Sequence, residues 1–245
     1  MKPRSFIVFG GCHVAGYGVG EQNSFINFFS SQSKTECLNI FSNFQIKNIQ
    51  AIDKIIERYD PEFVLLQLGN YEFHASLKKL FLNRKSSKDS QDNSDSRQSE
   101  IETGSPANKI NISFPGKNQI SNNIFSNCLT SLIWEIIKKR TSVHLSQLKN
   151  IIASHPGRKF IILSPVPCIK KNDLIIRSKG GKLFKELFSS FENTTYVDLF
   201  SHIPPTRKYF KDSAHLNRRG HYLLARAISK EVNFIFENEN LTIAV

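Results

Sequence analysis

Asp212-Ser213-Ala214-His215-Leu216-Asn217, followed by Gly220-His221 and an apolar run, is the stretch on which the fold reading turns. An aspartate three residues before a histidine, just ahead of a helix, can hold one imidazole nitrogen and leave the other free as a base. A purely structural role does not call for that spacing at that place. Its counterpart lies near the other end of the chain, where Gly10-Gly11-Cys12-His13-Val14-Ala15-Gly16-Tyr17-Gly18 follows the apolar run 6–9. A nucleophile on a glycine-flanked strand-to-helix turn is exposed, and the backbone N–H groups of the turn face a developing oxyanion. Cys12 offers a thiol at that point.

Outward from these two stretches, apolar runs predict strands at 6–9, 38–41, 63–68, 160–163 and 195–199. Helical spacing of apolar residues predicts helices at 46–59, 125–154, 183–191 and 219–236, with a further helix from Gly69 to about Leu82. Strands and helices in alternation predict an α/β fold: a three-layer sandwich with a central parallel sheet, flavodoxin-like in arrangement. Ligands on such sheets bind at the carboxyl ends of the strands. The places to look are therefore the loops after Phe9, Leu68 and Leu163 and the segment after Leu199.

The 245 residues read as a single domain, 1–245, with 40% hydrophobic residues and 20 Phe for its core. From 84 to 122 the composition shifts to Ser, Asp, Asn, Lys and Gln, too polar to offset the ordering entropy of a packed segment. We read it as a flexible insertion inside the domain.

The formal charge of +12 favours anionic partners, although lysine-rich surfaces also serve solubility alone. No basic stripe interleaved with aromatics and no nucleic-acid module signature is present, which disfavours nucleic acid as a partner. Cys12, Cys37, Cys128 and Cys168 form no CxxC pair and no zinc-ligand spacing, so no metal site is expected. Cys12, His13 and His215 together do not make a diagnostic ligand set either. Cys37 and Cys168 read as inert buried thiols, and His13 and His221 as structural histidines. The N-terminal Met-Lys-Pro-Arg and its short apolar run lack the length of a signal-peptide core. No stretch approaches the ~20 apolar residues of a membrane span, so the expected location is the cytoplasm.

The two stretches resemble the Gly-Asp-Ser and Asp-x-x-His blocks of the SGNH/GDSL hydrolases. Gln67-Leu68-Gly69-Asn70-Tyr71-Glu72 sits where that family's Gly-x-Asn-Asp block belongs. The resemblance implies an SGNH-type acyl-ester hydrolase with a Cys12–His215–Asp212 triad and no cofactor. Its departures are specific. Gly11 stands for the family aspartate and Cys12 for the serine; Tyr71 stands at the asparagine and Glu72 at the aspartate of the third block. Ser42 or Asn43 is the nearest counterpart of the second-block glycine. Gly11, Asn70, Tyr71, Ser42 and Asn43 are thus the candidates for oxyanion and substrate contacts. Either Asn70 swings in, or the Tyr71 hydroxyl donates, or the oxyanion hole is incomplete.

The resemblance implies removal of a small acyl group, acetyl or similar, from a glycan or small metabolite, anionic if the positive charge gathers at the site. An acyltransferase working through an acyl-cysteine is a close variant. A catalytically degenerate fold that binds carbohydrate or a partner is the alternative from another class.

Overall fold

The apolar run 6–9 lies within β1 (Arg4–Gly10), and its residues alternate between two cores as a strand's period of two requires. In this computed structural model, which describes residues 4–75 and 119–242, four more strands join β1. They are β2 (Thr35–Phe41), β3 (Phe63–Gln67), β4 (Lys159–Leu163) and β5 (Thr194–Val197), in the order β2-β1-β3-β4-β5. All four pairings are parallel, and the central strands β1, β3 and β4 are largely buried, as both faces of such a sheet require.

Ile7, Phe9, Val64, Leu66, Phe160 and Ile162 face one layer, made of α2 (Ala51–Tyr59), α3 (Gln119–Ser154) and α4 (Lys171–Phe188). Phe6, Val8, Phe63, Leu65, Ile161 and Leu163 face the other, made of α1 (Phe25–Ser33) and α5 (Arg218–Thr242). The expected three-layer α/β arrangement is thus the observed one. Because the chain leaves β1 for β2 on one side and returns to β3 on the other, the loops after β1 and β3 diverge. The carboxyl edge between them is the switch point of the sheet, where ligands of such folds bind.

Several elements differ from their sequence readings. The helix at 46–59 is broken into a 3-10 turn, Ile46–Asn48, and α2. Glu72 Oε1 accepts the Ile46 N–H at 2.8 Å and fixes that turn separately. α2 then ends at Asp60, whose φ of 46° is left-handed, just before Pro61. The helix expected after Gly69 does not start there. Residues 69–75 form a tight turn closed by Phe73 N–H on Gly69 O at 2.9 Å, with Gly69 at φ 87°. The rest of that expected helix, like most of the 84–122 insertion, lies outside the described residues. Residues 119–122, read as part of that insertion, are the first turn of α3.

α4 starts at Lys171, well before the expected 183, and ends at Phe188. α1 was not anticipated. Ser24 Oγ caps it by accepting the Asn27 N–H at 3.3 Å, and Phe25, Ile26 and Phe29 bury its inner face. Burying each such Phe contributes roughly 1.5–3 kcal/mol.

Candidate active site

The segment after β5 returns as a short hairpin that presents Asp212 and His215 at the carboxyl edge. Phe210 and Leu216 pair antiparallel, and Lys211 N–H bonds His215 O at 2.8 Å. Inside the hairpin Asp212 Oδ1 accepts the N–H groups of Ala214 and His215, each at 2.8 Å. Asp212 Oδ2 accepts from His215 Nδ1 at 2.8 Å. Partial burial pushes the Asp212 carboxyl up, but these bonds outweigh it and bring it down to about 2. With Nδ1 donating to the carboxylate, His215 Nε2 is left as the free base. The Tyr17 ring lies against the imidazole, centroids 4.4 Å apart.

Cys12 sits on the turn that follows β1. Val14 and Ala15 N–H groups close back on Gly11 O (3.1 and 3.4 Å), and Tyr17 N–H closes on Cys12 O at 3.0 Å. The Cys12 thiol is half-buried, and burial raises its pKa above the ordinary thiol value. The field of Arg177 and the N–H groups of His13 and Cys12 oppose that rise only in part. Cys12 therefore rests as a thiol. Its side-chain hydrogen-bond partner is His13 Nδ1, at 3.7 Å, and not His215. The structure thus joins two of the three expected triad residues, Asp212 and His215, directly, while the third, Cys12, meets His13.

His13, read from sequence as structural, is the link. It is buried, its ring lies 5.9 Å from that of His215, and Asn70 Nδ2 approaches its Nδ1 at 3.0 Å. Asn70 has no freedom to turn round, because its Oδ1 accepts the Val166 N–H at 2.9 Å. His13 Nδ1 is therefore the acceptor, and the Leu216 N–H at 3.4 Å from Nε2 is a weak contact. Burial first, then the fields of His221, Arg177 and His215, hold the His13 pKa well below its ordinary value. The ring is neutral.

The expected oxyanion residues are placed unevenly. Gly11 N–H points to Gln67 Oε1 at 3.4 Å, and the Asn70 amide is held by His13. The Tyr71 ring covers Gly11 so closely that a Cβ there would lie 2.9 Å from it. Tyr71 thus occupies the room that an aspartate at position 11 would need. Its hydroxyl donates to Asn43 Oδ1 at 3.0 Å, and Asn43 has a left-handed φ of 61°, the backbone a glycine takes easily. Ser42 is exposed beside it. Glu72 is spent on the Ile46 N–H, and burial raises its pKa. Among the described residues, the Cys12 backbone N–H has no acceptor other than its own sulfur, which leaves it open to an oxyanion.

Sequence reasoning passed over Gln67, Tyr17 and Arg177, all of which touch or surround the site. The signal for Arg177 is the Gly180-Gly181 pair one turn further along α4, which lets the helix approach the strand ends. Gly181 would place a Cβ 3.3 Å from Ser164. Among the described residues, no group of three or more His, Cys, Asp or Glu side chains is placed to hold a metal ion. No described helix is long and apolar enough to cross a membrane.

No family model and no curated relative matches the sequence. Solved structures do match. A family 3 carbohydrate esterase from Clostridium thermocellum superposes with a TM-score of 0.57 at 13% identity, over 97% of this chain and 98% of that one. A lipase/acylhydrolase from Enterococcus faecalis gives 0.55 at 15% identity, over 94% and 95%. A protein of the G-D-S-L family from Desulfitobacterium hafniense DCB-2, described as lipolytic, gives 0.54 at 12% identity, over 92% and 98%. At these identities the likeness establishes the fold. The chain has the α/β fold of the GDSL/SGNH hydrolases.

Proposed function

We propose that this protein is an acyl-ester hydrolase in which Cys12 is the nucleophile, His215 its base and Asp212 the residue that orients His215. The observation that carries the reading is the Asp212–His215 pair. A carboxylate held by two backbone N–H groups fixes the imidazole tautomer at the sheet edge, beside a turn that bears a thiol. The fold shared with esterases and acylhydrolases supports the reaction class.

In the reaction, His215 Nε2 takes the thiol proton as Cys12 Sγ attacks the ester carbonyl carbon. The carbonyl oxygen becomes an oxyanion, held by the Cys12 N–H and by the Tyr71 hydroxyl once it leaves Asn43. The intermediate collapses as the alcohol oxygen departs with the proton from His215, leaving an acyl-cysteine. A water gives a proton to His215 and its oxygen attacks the thioester. The acid leaves, and the cysteine sulfur regains its proton from His215.

A small acyl group, acetyl or similar, on a glycan or small metabolite is the substrate class we favour, in line with the carbohydrate esterase neighbour. Lys211 supports an anionic one. It is exposed, lies next to Asp212 in the chain, and its side chain runs along Gly18, next to Tyr17, where a Cβ would lie 2.8 Å from Cδ. Four free cysteines fit a reducing compartment such as the cytoplasm.

A second reading, a binding module with a degenerate site, is favoured by one feature: the Cys12 thiol faces His13 and the Asn70 amide is already committed. Hydrolysis of p-nitrophenyl acetate and longer p-nitrophenyl esters separates the two. The wild type turns these esters over above the buffer rate, and Cys12→Ala falls to that rate. Equal rates in both proteins contradict hydrolysis at Cys12. No turnover, combined with binding of an acetylated oligosaccharide, establishes the second reading.

A further inference from the structure

Arg177 heads the fully buried side chains of the described residues by size, with 2% of its surface exposed. It reaches from α4 to the strand ends, where Nη1 donates to Val166 O at 2.8 Å and Nη2 to Asn70 O at 3.4 Å. Its Nε is buried with no partner. Carbonyl oxygens satisfy hydrogen-bond geometry but leave the charge itself uncompensated. Asp173, one turn earlier, spends its oxygens on Ala75 N–H, His74 and Lys170 at 2.6, 3.4 and 3.5 Å. Among the described residues the guanidinium forms no ion pair.

A buried cation with no anion in direct contact is costly, and a guanidinium cannot escape the cost by losing its proton. The acidic groups within its field are, strongest first, the Cys168 thiol, the Asp173 carboxylate and the Cys12 thiol. Cys168 is 1% exposed, with its thiol turned to Lys170 O at 3.6 Å. Cys12, on the turn after β1, is the less buried of the two. The carbonyls that Arg177 grips belong to the loops that hold it. Val166 N–H bonds Asn70 Oδ1, Asn70 Nδ2 bonds His13 Nδ1, and His13 Nδ1 meets Cys12 Sγ.

We infer that Arg177 is the positioning and counter-charge residue for Cys12: fixed behind the nucleophile turn, its guanidinium stabilises the thiolate formed when the thiol loses its proton. The inference rests on the proposed role of Cys12 as nucleophile. It also gives a physical reason for sulfur at this position. As its proton passes to His215, sulfur bears negative charge at lower cost than a serine oxygen does, and a buried cation stabilises that charge as it develops.

The test is site-resolved iodoacetamide labelling of Cys12, read by peptide mass spectrometry from pH 5.5 to 10. In Arg177→Met the midpoint of labelling moves up by about one pH unit or more, a tenfold slower reaction at a pH below both midpoints. Arg177→Lys, which keeps the charge, stays nearer the wild type. A clamp without an electrostatic role leaves the midpoint unchanged in a folded Arg177→Met protein, and that result overturns the inference. If Arg177→Met does not fold, Cys12→Asp and Cys12→Asn decide the matter with Arg177 in place. The aspartate variant is the more stable of the two at pH 7 and loses its advantage in acid. An asparagine variant at least as stable at pH 7 overturns the inference. Neither readout involves ester turnover, so a failure of the hydrolase reading and a failure of this one are distinguishable.

Discussion

Replacing His215 with alanine slows acylation of Cys12 by about 100- to 10,000-fold, the range a positioned general base supplies. The expectation follows from the resting state of the thiol. Burial keeps Cys12 protonated, so no preformed thiolate survives to attack without help. His13 Nδ1 lies 3.7 Å from the sulfur, but it already accepts from Asn70 and is held neutral by its burial. It is a poor substitute. Asp212→Ala moves the rate in the same direction, because it frees the His215 ring and removes the acceptor for two hairpin N–H groups. Single-turnover release of p-nitrophenolate measures both. Rates within twofold of the wild type for His215→Ala rule it out as the base.

Acid removes about 3 kcal/mol of stability through His221 alone. This side chain is fully buried at the start of α5, where Nδ1 accepts the Phe25 N–H at 3.2 Å and Nε2 has no partner. Burial lowers its pKa to about 4, from 6.5. In the unfolded chain the ring protonates near pH 6.5, while the folded protein resists protonation until about pH 4. Between those values the unfolded state binds more protons, so stability falls as pH falls. The loss, about 1.4 kcal/mol per pH unit, is complete near pH 4. His13, also held neutral by burial, acts in the same direction. Urea unfolding from pH 7.5 to 4.5 shows the decline, and His221→Asn, whose side-chain oxygen can still accept from Phe25, gives a flatter profile. An equal slope in both proteins contradicts this assignment.

Much of the frame is legible in the sequence because its signals are local. The runs 6–9 and 160–163 are apolar at every position, and 63–68 at every position but Gln67, as strands buried on both faces require. Asp212 and His215 interact across three residues, so their pairing needs no knowledge of the rest of the chain. The core of the candidate site is different in kind. That Cys12 would meet His13 rather than His215 depends on Asn70, and Asn70 is turned by Val166, almost a hundred residues further on. Arg177 lies ahead of the helix expected at 183–191, and nothing local in the sequence marks it as buried. It is buried because α4 comes close to the strand ends at Gly180 and Gly181. Tyr71 over Gly11 follows the same logic. The glycine left a space and the tyrosine filled it, and the two positions make sense only together. α1 escaped because Phe25, Ile26, Phe28 and Phe29 give a short, dense apolar cluster in which helix and strand patterns are hard to tell apart.

Mass spectrometry of the protein quenched in acid during reaction with p-nitrophenyl acetate decides whether Cys12 is the nucleophile. An added acetyl group that maps to the Cys12 peptide accumulates in the wild type and is absent from Cys12→Ala. Turnover with no Cys12 adduct, or an adduct on another residue that survives Cys12→Ala, contradicts that role.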